Sequence, residues 1–436
     1  MGRYSVSVGD ELNLVHDGGK VKLLKKLKEG GQGKIFLTNY DGKKYVVKWY
    51  NSFHGSSPTQ RKLIDELVSL APRMPDEFVW PQDIVVKPPG KGEGFGYLMP
   101  FVDLKNNVTP GRLRKERSKI RMGFDCQLLA CINLVRAFQI IHLEGLCYRD
   151  MSWDNCAINP NDGSVFIIDN DNVAPTSMDL KIVGTSGFMA PEVAQQGKKP
   201  SPESDQYSLA ILIFMVLFRE HPNHGAYYDS LKVWDDSAKQ RVYSKDPVFV
   251  FDPSDRRNKC TTKDMRRIWK VQMPENLKKL FIRSFCDGAK NPEKRVTEQE
   301  WLSALSTGLR SMFNCNHCGL TLFYDRKNDS PTRCPRPTCD KTMDIPIRLV
   351  VKNRYLVCKK GANIRSALLK GNYRDINPIG EVVVKKNKRG IKNISGHNWT
   401  MKKDGDSTFV PNNKHVSTEE GITIDFGAGV IGKFEK

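Results

Sequence analysis

At 436 residues the chain is too long for one ordinary core, and two or three domains are expected; 39% hydrophobic, 27% charged and 9% aromatic residues are the composition of a folded protein. The net charge of +20 favours acidic partners (nucleic acid, anionic membrane or acidic protein segments), or else describes a solvated basic surface. Eleven cysteines, an odd number and mostly scattered singly through apolar segments, fit a reducing compartment. The first apolar residues stand isolated among Arg3, Asp10 and Glu11, so no secretory signal is expected, and Val6 stands where N-myristoylation asks for Ser or Thr. The longest apolar run, Leu209 to Phe218, has about half the length a bilayer needs and reads as a buried core helix. A soluble cytoplasmic chain without a transmembrane segment is expected.

In chain order, Val21 to Leu27 alternates with lysines as a strand does. Glu29-Gly30-Gly31-Gln32-Gly33-Lys34 is a glycine-rich turn, and Ile35 to Thr38 is the returning strand. Glycines there let backbone amides approach a phosphate chain that side chains would block. Lys44 to Trp49 is a further strand with Lys48 near its end. Arg61 to Leu70 has helical spacing and carries Glu66, which would pair with Lys48, with Asp65 the competitor for that role. Tyr97-Leu98-Met99-Pro100-Phe101-Val102 reads as a strand entering a connector between two lobes. Thr109 to Met122 is strongly basic, either a solvated face or a dock for an acidic substrate. Cys126 to Leu143 has helical periodicity and runs into Tyr148-Arg149-Asp150-Met151-Ser152-Trp153-Asp154-Asn155, with Asp169 fourteen residues further on, after the apolar run Val165 to Ile168. An acid, an amide and a second acid so arranged hold a hydroxyl nucleophile and a divalent cation over a phosphate.

A glycine-rich hairpin, a strand lysine, a helix glutamate, Arg-Asp-x-x-x-x-Asn, an aspartate at a strand end and Ala190-Pro191-Glu192, in that order, resemble the eukaryotic-like (Hanks-type) protein kinases of bacterial kind, over roughly residues 15 to 310. The resemblance implies a bilobal α+β fold, with an N-lobe over about 15–102 and a C-lobe over about 103–310. It implies that Gly30, Gly31 and Gly33 cover the phosphates of ATP and Ile35 caps the adenine, with Met99, Phe101 and Val102 at the connector. Lys48 would hold the α- and β-phosphates with Glu66 as partner, Asp150 would take the proton of a serine or threonine hydroxyl, and Asn155 and Asp169 would ligate Mg²⁺ or Mn²⁺. Thr185 stands where serine/threonine-specific kinases carry theirs, Asp205 would anchor the catalytic-loop backbone, and Arg295 would pair with Glu192. Thr176, Ser177, Thr185 and Ser186 are the candidate phosphate acceptors of an activation segment running from Asp169 to Glu192. The chain departs from the family's pattern at Lys28 for the first loop glycine, at Tyr148 for the usual histidine, at Ser152 for the usual lysine and at Asp169-Asn170-Asp171 for Asp-Phe-Gly. The alternative to a kinase acting on protein substrates is a nucleotide-binding pseudokinase scaffold; nucleic acid is the weaker partner.

Beyond the kinase-like region, over 311–345, Cys315-x2-Cys318 and Cys334-x4-Cys339 fit a four-cysteine zinc ribbon with a structural Zn²⁺. Residues 346–436 read as a small all-β, sandwich-like domain with strands at Arg348 to Val357, Glu381 to Lys385, Trp399 to Lys402, Thr408 to Val410 and Ile422 to Phe426. Its final stretch is similar to the end of a forkhead-associated domain, whose members bind phosphothreonine, and Ser395-Gly396-His397 approximates that family's Ser-x-x-His. The basic cluster Lys385, Lys386, Lys388, Arg389 and Lys392 favours an anionic ligand or is simply solvated. Recruitment of phosphothreonine-containing or acidic protein partners is the expected role.

Overall fold

The computed structural model describes residues 4–178, 184–373, 375–386 and 388–436. The first lobe is one antiparallel sheet of strands β1 (Glu11–Leu14), β2 (Lys20–Lys22), β3 (Lys25–Glu29), β4 (Gly33–Tyr40), β5 (Lys43–Tyr50), β6 (Asp83–Val86) and β7 (Phe95–Pro100), in the order β2-β1-β6-β7-β5-β4-β3. The single strand expected over 21–27 is two. Leu23 donates to the carbonyl of Asp10 and Leu24 to that of Leu37, so the chain changes neighbours between them and carries the sheet from one edge to the other. Side chains alternate across a pleated sheet. One face therefore buries Leu12, Phe36, Val47, Trp49, Val85 and Leu98 together. The other carries Ile35, Val46, Lys48, Tyr97 and Met99, which the pairing register sets side by side. Helix α1 (Pro58–Leu70) starts at Ser57, whose hydroxyl accepts from the Gln60 amide, and it buries Leu63, Ile64, Leu67 and Val68.

In the second lobe α2 (Phe124–Leu143) packs against α3 (Pro202–Phe218) and α4 (Glu298–Ser311). Capping boxes at Ser201/Ser204 and Thr297/Glu300 begin the last two. The run Leu209 to Phe218 lies inside α3 and is buried throughout, as the sequence indicated. Helix α2 is long and apolar enough to cross a bilayer, at a mean hydropathy of 1.4, yet Leu128, Cys131, Leu134, Val135 and Phe138 bury it in the lobe's core. Between α2 and α3 the hairpin β8 (Cys156–Ile158) and β9 (Val165–Ile167) joins the loop Tyr148–Asn155 to Asp169.

A hairpin of β10 (Met312–Asn314) and β11 (Thr321–Phe323) follows α4 directly and carries the first cysteine pair at its turn. It leans on the second lobe through Phe323 against Phe124 and through Gln272, whose amide donates to the Thr321 carbonyl. The remaining strands are β12 (Arg348–Val351), β13 (Arg354–Val357), β14 (Asn363–Arg365), β15 (Pro378–Lys385), β16 (Lys388–Asn393), β17 (Trp399–Lys403), β18 (Asp406–Val410), β19 (His415–Ser417), β20 (Thr423–Asp425) and β21 (Ile431–Glu435). They form a six-stranded sheet, β13-β12-β21-β20-β17-β18, and a four-stranded one, β14-β15-β16-β19, around a shared core of Leu349, Ile364, Val382, Ile391, Trp399 and Phe434. Gly380 is fixed by that core, because a Cβ there would fall 2.7 Å from the Trp399 ring. The strand expected over 348–357 folds back on itself at Lys352, which sits at φ 55° in the turn between β12 and β13.

Candidate active site

Helix α2 delivers the chain through Gly145 to the loop Tyr148–Asn155, and the start of α3 holds that loop from below. Asp205 accepts from the backbone amides of Tyr148 at 2.5 Å and Arg149 at 3.2 Å. His142, at the end of α2, bridges Asp205 at 3.3 Å and Glu298 of α4 at 2.9 Å. Burial pushes its imidazole down, but the two carboxylates more than offset that and carry it up to about 9. Arg149 turns the chain at φ 72° and donates to the carbonyls of Pro175 and Met178, so its buried guanidinium is satisfied by backbone of the activation segment. Residues 179–183 of that segment lie outside the described residues. Ser152 spends its hydroxyl on the loop itself, accepting from the amides of Asp154 and Asn155, as a short capping side chain does and a lysine cannot.

The departures at Tyr148 and Asn170 act on one strand end. The Tyr148 phenol donates to the carbonyl of Ile168 at 2.6 Å, and the Asn170 amide donates to Ile167 and Val79 at 2.9 and 3.0 Å. Each thus grips backbone at the end of β9 rather than bonding to the other. Asp169 leaves that strand at φ 64°, a left-handed conformation uncommon for residues other than glycine. Its Oδ1 meets the ammonium of Lys48 at 2.7 Å. Asp150 carries the Thr185 hydroxyl on Oδ1 at 3.0 Å, and the Asn155 amide donates to the Asp150 carbonyl at 2.9 Å, leaving the Asn155 carbonyl oxygen for another ligand. Burial raises the Asp150 carboxyl above its ordinary range, with Thr185 opposing and Asp169 assisting.

The expected Lys48–Glu66 pair does not form. Among the described residues half-exposed Glu66 reaches only Lys62, at 3.9 Å, while Asp65 turns to His16 at 2.8 Å. The face of α1 that buries Ile64 and Leu67 carries Gln60 one turn earlier, and Glu66 lies roughly 120° round the helix from it. The acid that holds Lys48 is instead Asp171, fully buried, with its oxygens 2.9 and 2.8 Å from the ammonium. Tyr50 donates to Asp171 at 2.6 Å, and Gln60 donates to both the Tyr50 hydroxyl and the Asp171 carbonyl at 3.3 Å. Burial alone would neutralise both groups. Their mutual attraction wins, holding the Asp171 carboxyl below its ordinary range and the Lys48 ammonium above its own.

From above, the glycine-rich turn closes on the same ammonium, with Gln32 accepting from Lys48 at 2.8 Å. Gly33 is needed where β4 meets β5, since a Cβ would strike the Trp49 carbonyl at 2.1 Å, whereas Gly30 and Gly31 border open space. Ile35 and Met99 share the Lys48 face of the sheet with Val46, and Phe101 and Val102 stay partly exposed just past β7.

The protein kinase domain family matches residues 21–305, well over half of the chain. The chain belongs to that family. Among curated relatives, serine/threonine-protein kinase PknA of Mycobacterium tuberculosis is 28% identical over 219 residues, 48% of each chain. Human protein kinase C delta type is 32% identical over 103 residues, 23% of this chain and 15% of that one. The chain thus spans about half or less of the length of these relatives. A crystal structure of the Mycobacterium tuberculosis PknI kinase domain aligns over 69% of this chain and 98% of that one, at a TM-score of 0.44 and 14% identity.

Two further ion-pair arrangements tie the parts of the kinase domain together, the first as the resemblance implied and the second not expected from the sequence. The Arg295 fork is bidentate on Glu192 at 2.8 and 2.7 Å, joining the end of the activation segment to the lobe's base. The basic stretch 109–122 is partly internal structure: Arg114 and Arg117 both engage Glu220, and the Arg114 guanidinium lies over the Trp153 ring of the catalytic loop.

Proposed function

We propose that the chain is an ATP-dependent protein serine/threonine kinase. The observation that carries the reading is the convergence of Lys48, Asp150, Asn155 and Asp169 at one cleft, with Thr185 of the activation segment hydrogen-bonded to Asp150. The donor set at Asn155 and Asp169 is two hard oxygens, one anionic and half-exposed, which suits Mg²⁺; the bound cation would neutralise charge on the polyphosphate. In the transfer, the substrate hydroxyl oxygen bonds to the γ-phosphorus as the bond to the β,γ-bridging oxygen breaks. The hydroxyl proton passes to Asp150, and ADP leaves with the electron pair. Lys48 orients the α- and β-phosphates, and Gln32, now on its ammonium, gives way to them. The cleft's adenine wall is Ile35, Val46 and Met99, with Phe101 and Val102 at the connector. The test is autophosphorylation of the purified protein with Mg²⁺ or Mn²⁺, using Asp150→Asn as control. Label equal to the control, in the presence of a generic basic protein substrate, makes the chain a nucleotide-binding scaffold.

The C-terminal units support a recruitment role within this reading. The sulfurs of Cys315, Cys318, Cys334 and Cys339 all lie within 4.8 Å of one another, with Cys315 to Cys339 at 3.9 Å and Cys318 to Cys334 at 3.6 Å. A tetrahedral ZnS₄ centre with bonds of about 2.3 Å has sulfur–sulfur edges of about 3.8 Å, so the four thiolates fit a structural Zn²⁺ with no open position. The two-sheet domain presents Ser395, Gly396 and His397 in the loop between β16 and β17, where Asn412 accepts from the Gly396 amide. The β15–β16 turn with Lys385, Lys386 and Lys388 adds positive charge. Acidic or phosphothreonine-bearing protein segments are the ligands this surface suits, and a cytoplasmic location follows the same reading.

A further inference from the structure

Where α4 of the kinase domain meets the first strands of the C-terminal domain, a cavity of about 270 Å³ opens between them. Leu129 and Ile132 of α2, Leu309 of α4 and Leu368 give it apolar walls. Arg310, the penultimate residue of α4, is nine-tenths buried in its lining. One Arg310 nitrogen, Nη2, reaches the Thr307 hydroxyl at 3.3 Å, and the Tyr373 phenol in the same lining acts on the guanidinium, but Nε and Nη1 are buried with no acceptor in hydrogen-bonding geometry among the described residues. Arg365 lines the same space and bonds by Nε to the Ile376 carbonyl, and Arg354 nearby bonds to the carbonyls of Leu368 and Leu369. The hydrogen bonds of these three guanidinium groups go to hydroxyl and carbonyl oxygens, and none has a carboxylate partner among the described residues. The acids at the rim are engaged elsewhere: Asp125 by Lys359, Asp162 by Asn159 and Ser164, and Asp375 by the Asn377 amide.

A buried, fixed cation with unmet donors is costly, and protein cores tolerate one only when a counter-charge meets it. Guanidinium is the group best shaped to take a carboxylate or phosphate by two parallel hydrogen bonds. We propose that this cavity is a binding site for a small organic anion, a phosphate monoester or carboxylate on an apolar body, with Arg310 as its principal anchor and Arg365 beside it. The apolar walls take the body of the ligand and Arg310 its charged head. The site draws on both the kinase domain and the C-terminal domain, so its occupant ties the two together.

Thermal denaturation of the full chain tests this, with phenyl phosphate and benzoate as probes and phenol and inorganic phosphate as controls. At about a hundredfold excess over Kd, a phenyl anion is expected to raise Tm by about 3 °C in a saturable way, and phenol not at all. Arg310→Met, of similar length and without charge, is expected to raise the Tm of the ligand-free protein and to abolish the shift; Arg310→Lys retains part of it. Hydrogen exchange on the unaltered protein provides the reading independent of any variant, with protection by phenyl phosphate expected at 306–311 and 361–368. No saturable shift with either anion, an equal shift with phenol, a shift that survives in Arg310→Met, or protection confined to the ATP cleft would each overturn the proposal.

Discussion

Asp171→Asn separates this active site from the arrangement in which a helix glutamate holds the lysine. Asn keeps the shape of Asp171 and one acceptor, but it removes the charge that compensates a Lys48 ammonium only 6% exposed. Breaking a buried pair on one side typically costs about 3–5 kcal/mol; Asp169, 2.7 Å from the same ammonium and partly solvated, supplies some compensation, so about 3 kcal/mol is expected. The pair also sets a pH dependence. The Asp171 carboxyl titrates below its ordinary range in the fold, so its contribution is present above that range and lost as pH falls through the folded value; Asp171→Asn flattens this acid limb. Urea denaturation between neutral and acid pH reads the stability, and steady-state kinetics reads KM for ATP, expected to rise about tenfold as Lys48 loses its hold. Glu66→Gln is the matched control, with stability within about 0.5 kcal/mol of the parent and an unchanged KM, because Glu66 is half-exposed and its charge meets only Lys62 among the described residues. The reverse pattern, a large effect of Glu66→Gln and a small one of Asp171→Asn, refutes the reasoning outright.

His142 makes a second, pH-dependent prediction. Its pKa is raised to about 9, so its stabilisation is complete below pH 6.5 and disappears as pH rises through about 9; it amounts to roughly 3 kcal/mol. His142→Asn should therefore lower Tm strongly at pH 6 and hardly at pH 10, and an equal loss at both would count against the bridge to Asp205 and Glu298. Glu192→Gln leaves a fully buried Arg295 fork without its counter-charge and should cost about 3 kcal/mol in the urea midpoint, whereas a cost under about 1 kcal/mol would show that the fork is not desolvated. For the cysteine cluster, elemental analysis should return one zinc per chain, and Cys315→Ser should lose it; a chain that binds no zinc when refolded with the metal sinks the ZnS₄ assignment.

What was legible in the sequence is what local pattern determines. The core helix from Leu209 to Phe218, the glycine turn and the helix leading into Tyr148 follow from short apolar runs or turn residues, and the Arg295–Glu192 pair from the family resemblance. Strand changes such as the one at Leu23–Leu24 are set by which neighbour offers a carbonyl, and that is a property of the closed sheet. Glu66 failed for a reason the sequence does contain. The apolar phase of α1, through Leu63, Ile64, Leu67 and Val68, places Gln60 on the inward face and Glu66 on the flank, so an acid for Lys48 had to come from elsewhere. The surplus acid was in view as well, two residues past Asp169, but burying it beside a lysine is a tertiary decision. It depends on Tyr50 and Gln60 arriving from a strand and a helix, the one donating to an Asp171 oxygen that Lys48 also holds and the other to the Asp171 backbone carbonyl. That transfer of the counter-charge from helix to turn has a consequence for control. In a kinase whose lysine is paired from α1, swinging the helix away breaks the pair; here the pair belongs to the segment that also carries Asp169. Movement of α1 would therefore remove Gln60 and leave Lys48, Asp169 and Asp171 together, so only displacement of the turn that carries both acids would separate the lysine from its counter-charges.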